Sequence, residues 1–476
     1  MPDEKINLCL ENLTQAYRGK VLTPEEVVNF IYGEIETDGA QGVWTHLIPK
    51  DQVLERAKFL ETVDSTVTDE MPLWGIPFSV KDCIDIKGYP TSAACPGFSY
   101  TAENTNPVVQ KILDAGGILV GKTNLDQFAT GLVGIRTGFD VPYNPFDPAY
   151  IPGGSSSGAA VSVSLGLVSF AIGTDTGGSG RVPAAFNNIV GLKPTRGLLS
   201  TTHTVHACRS LDCISIFALT ASDACYVFDL VNQYDSSNPL SRSLGSPPER
   251  LAGFSEGQEF CFGVPKKAQR SFFGNNDVER LFEDAIETLC NLGGTCLEID
   301  YEPFLEANEL LFNGSWVAER YNSVGKFIES NPEAIHPITH NIISSAKEIR
   351  AGQAFEDLYQ REKLKKAVQP LWESIDMLMV PTTGTIYKIQ EVIENPLHLN
   401  STLGYYTNFV NLLDLAAIAV PNGFQNTGLP AGVTLISLPF TEAFLANVGQ
   451  LFHRKRVSRL GATEWEFISS RFDHPL

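Results

Sequence analysis

Two glycine- and serine-rich loops hold the residues best suited to chemistry: Gly153-Gly154-Ser155-Ser156-Ser157-Gly158 and Gly173-Thr174-Asp175-Thr176-Gly177-Gly178-Ser179-Gly180. The segment between them, Ala159 to Ile172, is small and apolar. Its first half suits a tightly packed buried helix, and Val168 to Ile172 suits a short buried strand. A strand that runs into a loop of successive amides builds a site. Glycines let the main chain approach a substrate and aim neighbouring N–H groups at one point. A serine hydroxyl in such a loop stands beside its own oxyanion hole, as attack on an acyl carbon requires. A flexible linker is the plain alternative for the first loop, but the apolar segments around it disfavour that reading. Ser156 and Ser157 suit helix capping.

A third residue follows a buried strand pattern in Gly75-Ile76-Pro77-Phe78-Ser79-Val80-Lys81-Asp82. Alone, Lys81 beside Asp82 reads as an exposed ion pair, because lysine is mostly a surface residue. The three pieces in this order resemble the defining segment of the amidase signature family, hydrolases that cut C–N bonds with a Ser–Ser–Lys triad. The resemblance implies that Ser179 is the nucleophile, Ser155 the bridging serine and Lys81 the base, with the two serines 24 positions apart (179 − 155). It further implies a cis Gly154–Ser155 peptide and an oxyanion hole from the backbone of Thr176, Gly177 and Gly178. Gly131 is expected to line the pocket, and no metal or organic cofactor is required. To act as a base near neutral pH, Lys81 must be buried and neutral, roughly three units below its ordinary value near 10.4. Asp175 reads as a carboxylate that orders its loop, and Arg181 as a structural ion-pair former.

Helices and strands must position these groups. Thr23-Pro24-Glu25-Glu26 is a helix start, with a capping Thr, Pro at the first turn and early acids. Val27, Val28, Phe30, Ile31 and Ile35 follow at helical spacing, and a second helix is expected over Asp51 to Val63. Residues 1–70 therefore read as a helical N-terminal extension of one domain, and 71–476 as its body. Val108 to Ala115 reads as a helix and Ile118 to Val120 as a strand. Gly116 to Thr123, GGILVGKT, matches a phosphate-loop pattern, but its apolar centre is a strand core rather than a loop that wraps phosphate. The resemblance implies a helix over Asn124 to Ala129. It also implies the fold class: α/β, a central mixed β-sheet covered by helices on both faces.

The formal charge of −20 argues against nucleic acid or anionic membrane as a partner. Nine cysteines, an odd number with no CxxC pair, fit free thiols in a reducing compartment. The charged N-terminus does not read as a secretory leader, and no apolar run reaches ~18 residues. Cytoplasmic location is the expectation. His336 and His340 lie four apart around a proline, without a third ligand to make a metal site.

Two later stretches, Leu311 to Tyr321 and Asn400 to Leu415, resemble allophanate hydrolases within the family. There a Tyr and an Arg eight residues apart hold the substrate carboxylate. The Arg position here is Arg320, but the Tyr position (320 − 8) is Phe312, which lacks a hydroxyl donor. Without the resemblance, Arg320 reads as a salt bridge to Glu319 or another acid, and Trp316 reads as core. The resemblance implies allophanate as substrate, with ammonia and carbon dioxide as products. It also implies a homodimer and a functional link to a urea carboxylase. The chain stops soon after Gly428 to Thr434, and so reads as the amidase part without the further C-terminal domain that such enzymes commonly carry. Two alternatives stand: a hydrolase of biuret or a dicarboxylic monoamide, and an ammonia-producing amidotransferase subunit.

Overall fold

The computed structural model describes residues 6–36, 40–63, 70–252 and 254–467. Among the described residues there are thirteen strands. The first seven are β1 (Trp44–Leu47), β2 (Pro77–Lys81), β3 (Pro90–Thr91), β4 (Tyr100–Thr101), β5 (Ile118–Thr123), β6 (Phe170–Thr174) and β7 (Val190–Lys193). The others are β8 (Ile214–Ala218), β9 (Phe260–Pro265), β10 (Gly294–Ile299), β11 (Met377–Pro381), β12 (Ala416–Phe424) and β13 (Pro430–Ser437). Eleven of them form one sheet in the order β1-β5-β2-β6-β8-β7-β12-β13-β11-β9-β10, and β3 and β4 pair separately. The sheet is mixed: β5, β2 and β6 run parallel, and β8 is antiparallel to β6. The central strands are mostly apolar and buried along their whole length, with no alternation of burial, as expected for a sheet covered on both sides.

Helices cover both faces, and glycines mark where they come closest. A Cβ on Gly449, in the helix Glu442–Arg456, would lie 3.2 Å from Val420 and 3.6 Å from Ile418. A Cβ on Gly432 would lie 2.8 Å from Ala185, in the helix Arg181–Phe186. Gly432 pairs with Pro421, one residue on from Val420, so it projects to the opposite face. The two helices therefore lie on opposite sides of the sheet, and the α/β class expected from the sequence is the one observed.

The N-terminal part is helical except for one element. Thr23 and Glu26 form a complete capping box on the helix Pro24–Ile35, and a further helix spans Lys50–Glu61. Between them β1 adds an edge strand antiparallel to β5, which the helical reading of this segment omitted. The first five residues and 468–476, which begin and end the predicted domain, lie outside the described residues. The phosphate-loop pattern falls on β5, where Lys122 is buried in an ion pair with Asp82 at 3.1 Å.

The expected helix over Asn124 to Ala129 is instead a loop with one short 3-10 turn, Gln127–Ala129. Phe128 and Ala129 take left-handed φ of 52°. Side chains hold this backbone in place of helical hydrogen bonds. Asn124 accepts from the Leu125 N–H and donates to the Gly42 and Asp140 carbonyls. Asp126 accepts from the N–H groups of Val133, Gly134 and Arg136.

Candidate active site

Lys81 ends β2 and Thr174 ends β6. The parallel register pairs Val80 with Ile172, which brings both residues to the same end of the sheet. Lys81 is fully buried, with Nζ 2.8 Å from Ser155 Oγ and 2.7 Å from Thr174 Oγ1. The ion pair expected of an ordinary Lys-Asp dipeptide does not form, because Asp82 pairs with Lys122. Among the described residues Lys81 has no salt-bridge partner. Burial pushes its ammonium down from the usual lysine range, against the opposing pull of Cys83, Asp126, Asp212 and Asp175. That is the direction a general base near neutral pH needs.

The first serine loop enters through a cis Gly154–Ser155 peptide and leads into the helix Ser157–Ser164. This helix is small because its surroundings are close: a Cβ on Gly158 would lie 2.3 Å from the Val43 carbonyl oxygen. Neither Ser156 nor Ser157 caps it. Ser156 Oγ donates to the Thr174 carbonyl at 3.1 Å, and Ser156 N–H to the Ser179 carbonyl at 3.4 Å, which ties the two loops together.

The second loop is organised by Asp175. Its carboxylate accepts from the N–H groups of Gly178 (2.7 Å), Gly180 (3.1 Å) and Arg181 (3.2 Å), and pairs with the Arg181 guanidinium at 2.8 Å. Burial alone would raise this carboxyl, but Arg181 overcomes it and holds the group below the ordinary range. Asp175 and Arg181 are thus paired as the sequence reading expected. One expected donor is corrected: the Gly178 N–H is already committed to Asp175 and is not free for an oxyanion. The Thr176 and Gly177 N–H groups make no hydrogen bond among the described residues. From the carbonyl side, Asn411 Nδ2 donates to the oxygens of Asp175 (2.6 Å) and Thr176 (3.0 Å), and Thr407 Oγ1 to that of Gly177 (2.8 Å).

Arg320 lies in the helix Val317–Ser330 and is buried. The predicted salt bridge with Glu319 is absent. Glu319 accepts from the Ser210 N–H at 2.7 Å and the Cys208 thiol at 3.3 Å instead. Arg320 Nη1 donates to Thr130 Oγ1 (3.2 Å) and the Ala129 carbonyl (3.4 Å), and its Nε is buried without a partner. The guanidinium packs over the Phe312 ring, 5.2 Å from the centroid. Burial lowers its pKa, so this is a desolvated cation with no carboxylate partner among the described residues. Gly131 follows Thr130 with φ of 152°, and a Cβ there would lie 2.8 Å from Asp126 Oδ2. The backbone beside Arg320 is therefore kept bare of a side chain.

A family model named Amidase matches residues 26–445. The chain belongs to the amidase family. This amidase is 43% identical over 430 residues to urea amidolyase from Saccharomyces cerevisiae, covering 90% of this chain but 23% of that protein. It superposes on Kluyveromyces lactis allophanate hydrolase with a TM-score of 0.89 at 37% identity, covering 98% of this chain and 76% of that one. It is also 30% identical over 475 residues to a glutamyl-tRNA(Gln) amidotransferase subunit from Staphylococcus haemolyticus, covering 92% of this chain and 95% of that protein. The chain thus spans about a quarter of the length of the urea amidolyases it matches.

Sequence reasoning missed three residues that shape the amidase site: Thr174, Asp212 and Asn411. Thr174 carried a signal, since it ends the strand parallel to that of Lys81. Asp212 and Asn411 carried none, because only the fold brings them to the loop 174–180. Among the described residues no group of three His, Cys, Asp or Glu side chains could hold a metal ion. His336 caps the helix Pro337–Ser344, accepting from the Ile338 N–H. No described helix is long and apolar enough to cross a membrane.

Proposed function

We propose that this amidase hydrolyses allophanate, with Lys81 as base, Ser155 as relay and Ser179 as nucleophile. The observation that carries the substrate assignment is Arg320, a buried guanidinium held against Thr130 and the Ala129 carbonyl with no carboxylate partner among the described residues. An unpaired buried charge is costly, and a substrate carboxylate supplies the missing partner in a bidentate, charge-assisted contact. Phe312 contributes its ring face and no hydroxyl, so the carboxylate is held by Arg320 alone at this position.

Neutral Lys81 donates to Thr174 and takes the Ser155 proton on its lone pair, while Ser155 takes that of Ser179. Ser179 Oγ then attacks the terminal carbonyl carbon of allophanate. The N–H groups of Thr176 and Gly177 receive the oxyanion, each such donor being worth about 3 kcal/mol in comparable sites. The proton returns along the relay to the departing nitrogen, and ammonia leaves. Water, deprotonated by the same relay, cleaves the acyl-enzyme and restores Ser179. The released dicarboxylated amine breaks down to ammonia and carbon dioxide.

The enzyme is proposed to act in the cytoplasm as a homodimer, on allophanate supplied by a urea carboxylase. The likeness to urea amidolyases supports that link. The match along nearly the whole of an amidotransferase component keeps a second reading in view, in which ammonia is made from glutamine for a partner. Ammonia release from allophanate, biuret, malonamate and glutamine, repeated with Arg320→Ala, separates the readings. Preference for allophanate that collapses in the variant is expected. Activity on biuret, which has no carboxylate, that ignores the variant would overturn the assignment, and so would turnover of glutamine alone.

A further inference from the structure

We propose that residues 206–212 form a clamp that fixes the separation between the oxyanion hole and Arg320, with Asp212 and Glu319 as its positioning residues. The inference rests on the carboxylate-reading function proposed above. Asp212 is buried just before β8. The antiparallel register pairs Thr174 with Ile214 and continues past the strand ends, where the Asp175 N–H donates to the Cys213 carbonyl at 2.8 Å. Asp212 therefore falls beside Thr176. Its Oδ1 accepts from Thr176 Oγ1 (2.7 Å) and the Cys208 N–H (3.0 Å). Its Oδ2 accepts from the Ala207 N–H (3.0 Å) and lies 3.1 Å from His206 Nδ1. One carboxylate thus holds both the hole-forming loop and the segment 206–208.

The same segment grips the helix that carries Arg320. Glu319 Oε2 accepts from the Ser210 N–H and the Cys208 thiol, and Trp316 Nε1 donates to Ser210 Oγ at 3.3 Å. The path Thr176–Asp212–Cys208–Glu319–Arg320 is therefore continuous through hydrogen bonds and one peptide step. It joins the N–H groups that receive the carbonyl oxygen to the cation that receives the carboxylate. A substrate bound at both ends must match that span, and reaction rates are sensitive to misplacement on the order of 1 Å. Each end of the clamp controls a different kinetic parameter. Loosening Asp212 displaces the hole, which acts on the transition state. Loosening Glu319 displaces Arg320, which acts on binding of charged substrates.

Steady-state kinetics on malonamate (carboxylate) and malonamide (neutral), with thermal melts of each variant, test this. Asp212→Asn should lower kcat about tenfold or more on both amides with little change in KM. Thr176→Val should reproduce that loss and add little to it in the double variant, while Thr176→Ser retains activity. Glu319→Gln should raise KM for malonamate about tenfold and leave that for malonamide unchanged. Wild-type preference for malonamate, with no such split between the two variants, overturns the clamp alone. Parallel losses on both substrates that track a fall in Tm also overturn it. Lack of preference by the unmutated enzyme contradicts the proposed function itself.

Discussion

Replacing Lys81 by Met separates its chemical role from its structural one. The side chains are similar in length, and the site is fully buried. As a base near neutral pH, the amine must titrate well below the usual lysine range. Burial lowers it in that direction. A lysine depressed in the folded state contributes stability that is complete above its unfolded pKa, near 10.4. That contribution is lost as pH falls through the folded value. The Met variant escapes this loss but leaves Ser155 Oγ and Thr174 Oγ1 each short of a partner, at about 1 kcal/mol apiece. Near pH ~10 the lost hydrogen bonds leave the variant less stable, by up to about 2 kcal/mol, and the deficit shrinks as pH falls toward ~7. Activity should fall about a thousandfold or more, because the relay has no terminal base. Urea denaturation at both pH values, with kcat/KM for malonamate across roughly pH 5–9, measures both parts. A variant that keeps a tenth of the wild-type rate, or that keeps the wild-type loss of rate on acidification, would refute the assignment of Lys81.

Two further substitutions test the surroundings. Gly177→Ala places a Cβ 2.4 Å from Leu311 Cδ2 and 3.1 Å from Asn408 Oδ1, so either the loop or these buried side chains must shift. Its kcat should fall about 100-fold with secondary structure unchanged by circular dichroism. Asp223, which accepts from the Leu10 N–H, is pushed up to about 7 by burial. Its raised value contributes stability that is full below pH ~4 and lost as pH rises through about 7, on the order of 4 kcal/mol. Asp223→Asn should flatten the decline in urea midpoint between roughly pH 5 and 8, and an unchanged slope would count against this buried carboxyl.

The site was legible where chemistry and local pattern coincide. Gly-Gly-Ser-Ser and Asp-x-Gly-Gly-Ser need close backbone approach, and the strand before Lys81 is a mostly apolar run, so both could be seen along the chain. The helix that the resemblance implied over Asn124 to Ala129 does not form, because Asn124 and Asp126 capture the backbone through contacts with residues 42, 133, 134, 136 and 140. β1 was hidden because a four-residue edge strand, half-buried throughout, has no clear alternation. The Gly178 N–H was assigned to the oxyanion hole because sequence does not show that Asp175 reaches three residues ahead to claim it. Asp212 and Asn411 act only through tertiary register, which no local signal carries.

The most direct test of the central claim is ammonia release from allophanate by the purified chain and its Ser179→Ala variant. Wild-type turnover with loss of all but background release in the variant, at an unchanged Tm, is the predicted result. Ammonia release that persists in Ser179→Ala would contradict the account.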